Sequence, residues 1–110
     1  MLLLSLLLGC VDAKTPVDSS DPCEALEYDV TWANFGDGFF ANYCRGCHSA
    51  LTPNRYDAPE SINFDTLEEV RTYEALIRTS VIDEQSMPVG GGVYDQDLEF
   101  LGYFLDCGLD

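Results

Sequence analysis

Two thiols three positions apart, with an imidazole directly behind the second, constrain this chain more than any other feature. They lie in Cys44-Arg45-Gly46-Cys47-His48. This is the spacing of covalent haem attachment. One helical turn sets both sulfurs along one edge of a porphyrin, where each can add to a vinyl group, and His48 follows close enough to serve as the proximal axial ligand of the iron. A bare C-x-x-C would be shared with redox thiols and zinc ribbons. The adjoining histidine, the only one in the chain, separates the readings.

An iron held by His48 needs a second axial ligand. Apart from Met1 the chain has a single methionine, Met87, 39 positions downstream and followed by Pro88 and three glycines. A lone methionine in a small domain is ordinarily core packing, and only the motif upstream marks Met87 as the thioether ligand. Pro88 stiffens the backbone beside it, and Gly90, Gly91 and Gly92 permit a sharp turn.

The remaining cysteines follow from export. Residues 2–8 are six leucines and a serine, too few to span a bilayer. With Gly9 and Cys10 they resemble a bacterial lipoprotein signal, cleaved so that Cys10 becomes a lipidated N-terminus. An incidental cysteine behind an ordinary signal peptide is the alternative. Residues 10–22 are polar, with no apolar period, and read as a lipidated flexible tether. Residues 23–110 form the domain. In an oxidising compartment Cys23 and Cys107 are expected to pair; otherwise both stay as thiols. This places the protein in a bacterial cell envelope, facing the periplasm or the surface. Val11 after Cys10 leans to the outer membrane by an enterobacterial sorting rule.

Helical periodicity organises the rest. Segment 32–47 reads as a helix ending on the haem motif, with Gly36, Phe40 and Cys44 on one stripe. Segment 65–79 reads as a second, opened by a capping box at Asp65 and Glu68 or at Thr66 and Glu69. It carries Leu67, Val70, Tyr73 and Ile77 on its inner face. Segment 95–106 reads as a third, with Leu98, Leu101, Phe104 and Leu105 inward, Asp95 as N-cap and Gly108 as stop.

From about Phe35 to Gly108 this pattern resembles the small monohaem class I cytochromes c, and the added cysteines resemble a lipoprotein subset of them. The resemblance implies an all-α bundle of three to four helices around one covalently attached haem c, with His48 and Met87 on the iron. It implies one-electron transfer, and a carrier rather than an enzyme, able to serve as a subunit of a redox enzyme. Gly36 would let the last helix cross closely, eased further by Gly102. A proline of the family lends its carbonyl to the proximal histidine. Pro59 is the candidate here, with Pro53 competing.

Twenty acidic against five basic residues give a net charge of −15. Phosphate backbones would repel such a surface, so nucleic acid is excluded as a partner. The charge suits a redox partner with a basic docking face, met by a monomer held to the membrane through Cys10. Three rival readings remain: a haem sensor or peroxidase-like protein with a labile Met87, a thiol oxidoreductase using Cys44 and Cys47, and a zinc module. The last has no fourth ligand near Cys44, Cys47 and His48.

Overall fold

The computed structural model of the chain describes residues 22–110, and the described residues contain helices and no strand. The signal at 1–9, Cys10 and nearly all of the 10–22 tether lie outside the described residues. Pro22, the tether's last residue, opens a short 3-10 turn, Pro22–Ala25.

Helix α1 (Asp37–Tyr43) is entered through a π-helical turn, Trp32–Gly36. Thr31 caps that turn. Its hydroxyl accepts from the Asn34 amide at 3.1 Å while the Asn34 side chain accepts from the Thr31 amide at 2.8 Å, closing a capping box with asparagine in the third position. Both Phe35 and Gly36 amides turn back onto the Thr31 carbonyl, which widens the first turn.

Helix α2 (Leu67–Thr72) starts from the second of the two predicted boxes, Thr66 with Glu69. Asp65 is left free for another task, described below. The expected 65–79 helix breaks at Tyr73 (φ −107°, ψ 22°), resumes as α3 (Glu74–Ile77), and runs on as a π-helical stretch to Asp83. The break coincides with the Tyr73 ring standing edge-on to Phe64, its hydroxyl donating to the Ser61 carbonyl at 2.9 Å. Helix α4 (Asp95–Cys107) has Tyr94, not Asp95, at its N-cap. Asp95 is already helical and acts through its charge in the first turn.

The core forms where α4 crosses the π-helical turn that leads into α1. Phe40, Leu101, Phe104 and Val70 are fully buried there, with Phe39, Ile77, Val81 and Leu105 around them. Trp32, Phe35 and Phe40 each place a ring within 6.4 Å of Phe104. Gly36 makes this possible: a Cβ on it would sit 2.8 Å from the Phe104 ring, closer than atoms pack. Gly102 does not share the role, because a Cβ there would meet nothing within 4 Å. The second steric glycine is Gly108, whose Cβ would collide with the Val30 carbonyl and the Phe104 ring. Gly108 therefore stops α4 by close packing (φ −109°), not by a left-handed backbone.

Two ties hold the helices in register. Cys23 and Cys107 lie at disulfide-bonding distance, with Cα atoms 5.5 Å apart. Arg78 bridges Glu74 and Asp106, each at 2.8 Å, across the groove between the π-helical stretch and α4.

Candidate functional site

Helix α1 ends one residue before the motif. Cys44 is its C-cap, and residues 44–48 form a tight irregular turn rather than the last turn of a helix. The Cys44 carbonyl accepts from the Cys47 amide at 3.2 Å and the His48 amide at 2.8 Å, so the first cysteine anchors both the second cysteine and the histidine. Arg45 fastens the turn: Nε donates to the Phe64 carbonyl at 2.7 Å and Nη2 pairs with Asp37 at 2.7 Å. The Phe64 amide in turn donates to the His48 carbonyl at 2.9 Å.

His48 is oriented by a carbonyl, and the carbonyl is that of Ile62. Nδ1 lies 2.9 Å from it. A carbonyl only accepts, so in the neutral ring Nδ1 carries the proton and Nε2 keeps its lone pair. Pro59 does not take this part; its carbonyl accepts from Arg55 at 2.6 Å instead. Pro59 reaches the site only as an apolar wall. Nothing in the sequence singles out Ile62, since any residue supplies a backbone carbonyl.

Two adjoining cavities open over this turn. One of about 270 Å³ is lined by Phe40, Ile62, Phe64, Ile77, Val81 and Leu76. The other, of about 490 Å³, reaches the surface past Cys47, Arg55, Tyr56 and Val89. Tyr43, Cys44, His48, Pro59, Met87 and Pro88 border both. The structure thus brings Met87 to His48 and Cys44 across 39 residues of chain. Their combined space falls in the range of sites that enclose a cofactor.

Met87 is presented by a loop that hangs on the Ser80 carbonyl. That oxygen accepts from the Ser86 amide (2.8 Å), the Met87 amide (3.1 Å) and the Ser86 hydroxyl (3.3 Å). Gly90, Gly91 and Gly92 all have positive φ (88°, 74°, 97°), with open space where a Cβ would be, so dihedral freedom and not crowding calls for glycine there.

The Cys44 thiol is poorly suited to redox exchange. Burial pushes the Cys44 thiol up to about 12, with Cys47 adding to it and Arg45 only partly opposing it. A reactive cysteine needs the opposite shift and a helix N-terminus; Cys44 sits at a C-terminus. Among the described residues no cluster of three or more His, Cys, Asp or Glu side chains could hold a metal ion. No helix among them is long and apolar enough to cross a membrane.

Asp65, released from capping, pins the chain that follows the motif. It accepts from the Ser49 hydroxyl at 2.6 Å and the Ala50 amide at 2.9 Å. Burial would raise its pKa, but these two bonds, with Arg45 and Arg55 nearby, hold it below the ordinary aspartate value. A lowered folded pKa gives stability that is present above about pH 4 and lost as the pH falls through the folded value. Asp65→Asn is expected to cost about 1–2 kcal/mol at pH 7, with the gap to wild type closing in denaturant titrations as the pH falls through the lowered folded pKa.

Comparison with models of known protein families, with curated proteins and with solved structures gave no match.

Proposed function

We propose that this protein is a one-electron carrier of the cell envelope, holding haem c through Cys44 and Cys47 with His48 and Met87 on the iron. One observation carries the reading: Cys44 and His48 from one turn and Met87 from a loop 39 residues further on border one apolar space otherwise walled by core side chains. The residues present fit the group. A thiol is at the rim, a histidine is fixed by its far nitrogen with Nε2 making no hydrogen bond among the described residues, and the only other thioether besides Met1 faces the same space.

Haem bound there supplies a single electron, cycling between ferrous and ferric iron. The chain's contribution would be to hold the iron through both His48 and Met87, leaving no open site for a substrate, and to keep the surroundings rigid between states. His48 is held by the Ile62 carbonyl, which raises its basicity as a ligand. Met87, a soft thioether, favours the reduced state, and the Phe40, Phe64 and Ile77 walls exclude water and do the same. The wider cavity opens past Tyr56 and Val89, 72% and 83% accessible, and a partner would approach a haem held there from that side. The net charge of −15 favours a partner with a basic face, and association that slows as salt rises.

The test is the full chain produced with haem-attachment machinery. Intact mass after denaturation is expected to include one haem, lipid at Cys10 and the loss of two hydrogens for Cys23–Cys107. The Cys44→Ser, Cys47→Ser double variant is expected to carry no covalent haem. A colourless wild-type protein overturns the reading. A second reading, a sensor with a labile Met87, draws on one feature: Met87 is 41% exposed on a glycine loop, beside a further 50 Å³ space next to Val81 and Leu98.

A further inference from the structure

Of the four arginines in the chain, three have carboxylate partners: Arg45 with Asp37, Arg71 with Glu68, Arg78 with Glu74 and Asp106. Arg55 has none among the described residues, in a chain where acidic residues outnumber basic ones fourfold. Its guanidinium is committed to backbone carbonyls. Nη1 donates to Ser49 at 2.6 Å, Nη2 to Pro59 at 2.6 Å and to Ile62 at 3.1 Å, and Nε more distantly to Ala58 at 3.5 Å. The Ile62 carbonyl is also the one that accepts from His48 Nδ1.

One oxygen therefore serves a cation and an imidazole. It has two lone pairs, so the geometry is allowed, but the two donors are not independent. A charge-assisted bond draws electron density from the shared oxygen, which leaves it a weaker acceptor for the imidazole N–H. The hydrogen bond that makes a histidine a stronger ligand is weakened. Separately, the Arg55 charge borders the wider cavity and disfavours any added positive charge there. Both effects act against the oxidised state.

We propose that Arg55 is a positioning residue that raises the reduction potential of the site by sharing the Ile62 carbonyl with His48. The proposal rests on the haem reading above. Arg55→Gln removes the charge, and Arg55→Lys keeps it while losing the planar fork that spans several carbonyls. In the haem-loaded full chain, Arg55→Gln is expected to lower the potential. At a fixed solution potential this is a fall of roughly three- to tenfold in the ferrous-to-ferric ratio, the size of one partly screened charge. The His48 Nδ1–H proton resonance of the reduced protein should move downfield as its hydrogen bond shortens. Arg55→Lys should restore part of the potential.

Loosening the loop could imitate this, so Thr52→Ala is the control. The Thr52 hydroxyl ties the same loop to the Arg45 carbonyl at 2.7 Å without touching Ile62. It is expected to lower stability and leave potential and resonance in place. The proposal is overturned if Arg55→Gln binds haem with both readouts unmoved, or if Thr52→Ala moves them equally. A chain that takes up no haem overturns the carrier reading and this proposal together.

Discussion

On the carrier reading, Met87→Ala is expected to keep covalent haem, lose the thioether–iron absorption, and drop the reduction potential by on the order of 0.1–0.3 V, because the axial ligand is the strongest single control on haem potential. The reduced variant should also bind carbon monoxide, which the wild type should not. The substitution suits this purpose because little else depends on the residue. Met87 is exposed to 41%, outside the Phe40–Phe104 core, and its backbone is fixed independently of its side chain by the Ser80 carbonyl. Loss of fold is thus separable from loss of ligation, and helical circular dichroism should barely change. The same experiment decides between the two readings of the site. If wild-type protein in the ferrous state already takes up carbon monoxide at neutral pH, Met87 is labile and the sensor reading stands.

Removing the bridge by Cys23→Ser with Cys107→Ser is expected to cost about 2–4 kcal/mol, read as a lower denaturant midpoint. The two residues are 84 apart in sequence, so the bridge closes nearly the whole described chain. Chain entropy alone would assign such a loop about 4.5 kcal/mol. Haem held at Cys44, Cys47, His48 and Met87 would already constrain the unfolded chain, so the holo-protein should lose less than the apo-protein. The local cost is specific as well. Cys107 is the last residue of α4, and Gly108 beyond it packs against Val30 with no room for a Cβ. Without the bridge, α4 is expected to fray from this end, exposing Leu105 and Val30 before the crossing at Gly36 gives way. A double variant as stable as wild type in the apo form would show that the crossing of α4 over the π-helical turn holds the fold alone.

Much of the architecture could be read from local patterns. The apolar period of α4 put Leu101, Phe104 and Leu105 inward, and all three are buried. Spacing put Gly36 on one stripe with Phe40 and Cys44, the family resemblance implied that it lets the last helix approach, and it does admit the Phe104 ring. These succeed because a helix face is a fixed function of residue spacing, and the need to bury it does not depend on what covers it. The choice between two capping boxes was not readable, since Asp65 and Thr66 are both good caps. It was decided when Ser49 and Ala50, sixteen and fifteen residues away, claimed the Asp65 carboxylate. Gly102 was expected to aid the crossing, yet it lies on a face of α4 that meets nothing close, a matter of where the axes cross.

The amino-acid order alone supplied the chemistry of the site, because thiols, imidazole and thioether are properties of side chains and the chain has few of them to choose among. The pairing of Met87 with His48 was expected from that short supply; the three-dimensional structure alone supplied the Ile62 carbonyl that orients the ring and the Arg55 clasp around it. Those depend on backbone groups that every residue carries alike, so no residue type announces them. Only the path of the chain through space brings a particular carbonyl within 2.9 Å of a particular nitrogen.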